Sequence, residues 1–159
     1  SLTAAWVIAG SPEAALSADA VAQLRALAGL GLSQVAIALD QPERGRAHLL
    51  AAFAELGRLG ASAPAALRVT IAGALGRALH RGGELEGAES VLLVAALAAI
   101  EMEALGEIAG VFTDLGEIRW SMGQVEEARE AWSTARGAAE ALADDAQLHA
   151  IDQRLQRSA

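Results

Sequence analysis

The sequence predicts an all-α fold of about eight antiparallel helices, and three observations carry that expectation. The 159 residues include 40 Ala and 23 Leu, two of the strongest helix formers. Apolar residues recur at helical spacing along almost the whole chain, and the alternation of a half-buried strand is nowhere sustained. Pro12, Pro42 and Pro64 are the only prolines, and each stands where one helix ends and the next begins.

Taken in order, the helices are expected near 13–30, 33–41, 43–58, 64–81, 84–104, 106–122, 124–142 and 144–157, after a short turn around Trp6. Ser11-Pro12-Glu13 offers a capping hydroxyl, a proline at the first helical position and an acid near the positive end of the dipole. Gln41-Pro42-Glu43 and Ala63-Pro64 mark two later starts, with Ser62 placed to cap the second. Gly31, Gly57, Gly60, Gly82, Gly83, Gly106 and Gly123 read as helix ends, because a left-handed residue costs least at glycine. The links are only a few residues long, so neighbouring helices pack antiparallel within a single domain over 1–159. The chain opens on Ser rather than Met, which reads as a piece of a longer protein.

Composition narrows the function. Without Cys there is no disulfide, thiol nucleophile or thiolate metal site. The net charge is −8, with residues 1–80 near neutral and residues 81–159 strongly acidic. An acidic half repels phosphate, which argues against direct nucleic-acid binding and against an anionic membrane surface. The acidity serves solubility, or selects a basic partner. The longest uninterrupted apolar run, Val91 to Ile100, falls short of a membrane span, and no signal-peptide pattern opens the chain. A cytoplasmic location is the expectation.

One pattern occurs twice. Leu75-Gly76, Leu79, Gly83, Leu85, Ala88, Leu92 and Ala95 are matched forty positions later by Leu115-Gly116, Arg119, Gly123, Val125, Ala128, Trp132 and Ala135. Gly76 and Gly116 remove a side chain where the partner helix must come close, and Gly83 and Gly123 end the first helix. Ala88 and Ala128 are small at the helix crossing, and Leu92 and Trp132 fill the space beyond it. A hairpin built this way cannot bury its own apolar face and must stack on a neighbour.

The stretch from Leu115 to Ala128 most strongly, and Leu75 to Ala95 next, resembles a tetratricopeptide repeat. The period is 40 rather than the usual 34 residues, which is similar to long repeats in large bacterial multidomain regulators. Clear repeats run over about 69–102 and 109–142, and a degenerate copy over about 28–60, in which Ala47 stands in for Ala88. Helices at both ends would cap the array. The resemblance implies a right-handed α-α superhelix and a protein–protein interaction or scaffold role in a signalling or transcriptional regulator. A peptide or protein segment would bind in the concave groove. Two alternatives stand beside it: a small-molecule effector sensor, and a homo-oligomerisation module. The family's carboxylate clamp of Lys and Asn cannot form here, since both residue types are missing.

Groove positions are those of each hairpin's first helix that the repeat core does not use. Arg77, His80 and Arg81 in the first copy, and Thr113, Glu117 and Trp120 in the second, are the candidates. Arg77 and Arg81 lie four apart on one face. They either grip a carboxylate or phosphate or pair with Glu84, Glu86 or Glu117 and tie repeats together. Trp132 already fills the core, so Trp120 is left either to face the groove as an anchor or to pack under the next helix. Asp145, His149 and Asp152 share a helical face but lack a further ligand, and read as a solvated surface. No nucleophile–base arrangement, phosphate loop or separated carboxylate pair is present, so neither an enzyme nor a bound cofactor is expected.

Overall fold

The structure, a computed structural model, describes residues 17–159. Its described residues form seven α-helices and no strand: α1 (Ala18–Ala38), α2 (Pro42–Leu59), α3 (Ala65–Arg81), α4 (Leu85–Glu101), α5 (Leu105–Ser121), α6 (Val125–Ala141) and α7 (Asp145–Arg157). The broadest contacts join α1 to α2, α3 to α4 and α5 to α6, giving three hairpins. Narrower contacts of α2 with α3, α4 with α5 and α6 with α7 join each hairpin to the next element.

Seven helices replace the expected eight because Gly31 does not end a helix: 33–41 continues the helix before it as α1. An exposed glycine inside a helix costs only about 1 kcal/mol relative to alanine. The packing of Ala22, Ala26, Gly29, Ser33 and Ala36 against α2 outweighs that cost. Gly57 and Gly106 likewise lie within helices. Trp6 and the Ser11-Pro12-Glu13 start lie outside the described residues, where Ser17 caps α1 by accepting from the Ala20 N–H at 3.1 Å. Ser62 does not cap α3; it closes a short 3₁₀ turn, Gly60–Ser62, and Pro64 takes the cap position.

From α3 onward the chain keeps a strict metre. Four helices of 17 residues are separated by three-residue links, and the bounds of α5 and α6 are those of α3 and α4 moved by forty. One turn makes every link but that between α2 and α3. In these the residue after the C-cap has positive φ: Asp40, Gly83, Glu103, Gly123 and Ala143. Its N–H, and that of the next residue, bond back in the 5→2 and 6→1 pattern of a Schellman motif. In the α3–α4 link these are Gly83 N–H to the His80 carbonyl and Glu84 N–H to the Leu79 carbonyl, both 3.0 Å. The only differently built junction is α2–α3, where the Gly60–Ser62 turn adds three residues. The first hairpin therefore aligns on the second at an offset of 43. Asp40 corresponds to Gly83, Leu49 to Leu92 and Ala52 to Ala95. The counterpart of Ala88 is the buried Gly45, and not Ala47, which lies two positions further along α2.

The repeat positions are the core. Leu75, Ala88, Leu92, Ala95, Leu115, Ala128, Trp132 and Ala135 are all fully buried. A Cβ on Gly76 would lie 2.5 Å from Leu92 Cγ, and one on Gly116 would fall inside the Trp132 indole. The Trp132 N–H donates to the Thr113 carbonyl at 3.3 Å, the polar partner a buried indole requires.

α1 stands apart in composition. It is the one described helix long and apolar enough to cross a membrane by length and hydropathy. Gln23, Arg25, Ser33 and Gln34 are scattered along it, so it contains no long uninterrupted apolar run.

Two stability outcomes follow. Ala143→Gly, which relieves a left-handed alanine costing about 1–2 kcal/mol, raises the melting temperature by about 2–8 °C, and Gly123→Ala lowers it similarly; differential scanning calorimetry reads both. Gly116→Ala costs about 1–3 kcal/mol through overpacking. In urea melts that cost is smaller when Trp132→Ala is already present, because the two residues share one contact.

Candidate functional site

The odd-numbered helices α3, α5 and α7 lie side by side, and side chains cross from each to the next. Arg77 Nη1 of α3 reaches Asp114 Oδ2 of α5 at 3.3 Å. Forty residues on, the same two positions pair with the charges exchanged: Glu117 of α5 holds Arg154 of α7, and Arg157 adds a second contact to Glu117 at 3.6 Å. His80 Nε2 lies 3.3 Å from Ser121 Oγ, again between α3 and α5. In the first hairpin the residues aligned with these pairs are uncharged, Gln34 and Ile37 of α1. The face is therefore a row of cations on α3, acids on α5 and cations on α7.

Each candidate has a definite place. Arg77, His80 and Glu117 belong to this cross-helix ladder. Arg77 pairs with Asp114 rather than with Glu84, Glu86 or Glu117. Arg81 is exposed at the end of α3 and makes no ion pair among the described residues. The Thr113 hydroxyl donates to its own helix, to the Ala109 carbonyl at 2.7 Å, and its carbonyl takes the Trp132 N–H. Trp120 is half-buried. Its ring centroid lies 5.9 Å from that of Trp132, and the Arg157 guanidinium sits 5.1 Å above it. Its surroundings are the cluster of Ile108, Leu148, Ile151 and Leu155 that holds α7 on α5 and α6. Arg77, Arg81, Thr70 and Ala74 of α3 and Gln34 and Ile37 of α1 line a recess of about 240 Å³ between these two helices. Thus Arg77 and Arg81 share one recess, while Trp120 lies under α7.

Sequence reasoning missed Asp114, Arg154 and Arg157. The signal was available: Asp114 and Arg154 are separated by the repeat period, as are Arg77, Glu117 and Arg157. Burial at the floor of the face raises the Asp114 carboxyl above its ordinary 3.8; the Arg77 guanidinium and, more weakly, His80 and Arg154 pull it back. Four further pairs tie together segments distant in sequence: Arg46 of α2 with Glu84 of the α3–α4 link, Arg68 with Glu101 at 2.7 Å, Arg119 with Glu89 at 2.9 Å and Arg136 with Asp152 at 2.7 Å. That last pair takes up the Asp152 carboxylate, and His149 lies beside Gln153. Among the described residues no three His, Asp or Glu side chains gather into a metal-holding group.

No protein-family model matches the chain, and no curated protein is significantly similar to it.

The sign of the Asp114 effect is testable. A carboxyl raised in the folded state contributes stability that is present below the unfolded value and is lost as pH rises through the folded one. Wild type therefore loses stability relative to Asp114→Asn as pH climbs from 3.8 through the raised value, in paired denaturant melts. A wild type that gains instead would make the Arg77 pairing stronger than the burial.

Proposed function

We propose that the chain is a tetratricopeptide-like interaction module, a right-handed array of hairpins that presents the face of α1, α3, α5 and α7 to a peptide or protein segment. Within a larger bacterial signalling or transcriptional regulator it would serve as the partner-binding or sensing region. The observation that supports this reading most is the recess between α1 and α3. Its walls combine an apolar strip, Ile37 and Ala74, with donors from Gln34, Arg77 and Arg81. Arg81 is left uncommitted there among the described residues, and Arg77 holds Asp114 through a single long contact. Only one of its N–H donors is used there, so the others can take a ligand carboxylate while Asp114 keeps its partner. Bidentate hydrogen bonding suits a guanidinium to that role.

Screening a peptide library against the whole chain tests the proposal. Ligands recovered on the wild type are expected to lose at least about tenfold in affinity with Arg77→Ala combined with Arg81→Ala, about 1.4 kcal/mol, while helix content stays unchanged. Binding that ignores both substitutions contradicts this placement of the groove.

A further inference from the structure

The two ends of the helix row differ. α7 docks on the preceding hairpin as α5 does, with the buried Ile151 at the position of Val111 and Leu155 at that of Leu115. Its next face, by which α5 holds α6, is polar: His149, Asp152 and Gln156 stand where α5 has Ala109, Phe112 and Gly116. That end is closed to stacking.

The α1 end is the opposite. Positions by which α3 and α5 join the clusters of the preceding hairpin are Ile71 and Leu75 in α3, and Val111, Leu115 and Ile118 in α5, all buried. The aligned residues of α1 are Ala28, Leu32 and Val35. With Leu24, Leu27 and Leu39 they share one helical face. Leu24 is 53% exposed, Leu27 51%, Leu32 51%, Val35 57% and Leu39 63%. No charged residue lies within this stripe. α1 thus carries the docking face of the array with no described residues against it.

We propose that this face joins a second copy of the chain, α1 against α1 in antiparallel two-fold symmetry, with the axis passing near Gly31 and Leu32. The five large side chains expose on the order of 500 Å² of apolar surface, toward the upper end of what the largest patch on a monomer shows, ~300–600 Å². Two such faces, with the Ala20, Ala28 and Ala38 surfaces beside them, reach the ~1,200 Å² at which specific interfaces begin. Antiparallel pairing sets Leu24 opposite Leu39 and Ala28 opposite Val35, so large meets large and small meets branched along the seam. The polar outer face of α7 denies the alternative of head-to-tail stacking, so the assembly closes at two copies. The contact leaves the α1–α3 recess on another side of α1, so it stands or falls apart from the groove reading.

The absence of cysteine makes the test direct. Light scattering over a dilution series is expected to show a dimer that dissociates reversibly, with the dissociation constant raised more than tenfold by Val35→Asp. Leu97→Asp, on the exposed face of α4, leaves it unchanged. Leu32→Cys at the axis is expected to crosslink two copies under mild oxidation. A monomer at every concentration overturns the proposal. In that monomer, protection of the Leu32→Cys variant from thiol reagents would assign the face to residues 1–16, and binding to phosphatidylcholine vesicles lost in Val35→Asp would assign it to a lipid surface. A dimer abolished by Leu97→Asp but not by Val35→Asp also overturns it.

Discussion

The close approach of two helices at a glycine is the constraint on which the rest of the structure depends. Gly116 has no room for a methyl group because the Trp132 indole occupies it, and Gly76 stands in the same relation to Leu92. Sixteen residues separate each glycine from the side chain that covers it, so the contact sets how the second helix of a hairpin lies on the first. Once that is set, Ala88 and Ala128 must be small and Leu75 and Leu115 must face the preceding hairpin. A hairpin of this kind is incomplete alone, which is why its apolar positions are buried only as members of a row.

Much of the architecture was legible because local chemistry and tertiary packing agree at the two clear copies. The turns at Gly83 and Gly123 carry the residue their backbone demands. The same turns at Asp40, Glu103 and Ala143 were not legible, since a left-handed Glu or Ala is imposed by neighbouring helices that have no other way to reverse in three residues. Gly31 misled in the other direction: glycine permits a helix to end without requiring it, and the small-residue stripe of α1 continues straight through. The insertion at Gly60–Ser62 hid the first hairpin's register by three residues, and so Ala47 was matched where Gly45 belongs.

At the candidate site, helical register was enough to put Arg77, His80, Arg81 and Glu117 on the faces that neighbouring odd-numbered helices share. It could not say what they meet. The partners Asp114, Arg154 and Arg157 lie about forty residues away and are found only when the spacing of whole hairpins is known. Trp120 shows the limit most clearly. Counting along α5 leaves it either to face the groove or to pack under the next helix, and α7, which lacks the Leu-Gly pair of another first helix, packs over it. The ladder that results carries charge without depending on it: its members are partly exposed, and exposed pairs add little to stability.

α3–α4 and α5–α6 are one hairpin used twice, and every other feature of the row follows from that. An experimental structure at side-chain resolution tests this most directly, by superposing residues 65–101 on 105–141. Gly116 is predicted to fall on Gly76, Ala128 on Ala88 and Trp132 on Leu92, each within about 1.5 Å, the rise of one helical residue. A second helix displaced by a full turn, about 5.4 Å, or crossing its partner at some other residue than the glycine, would contradict it.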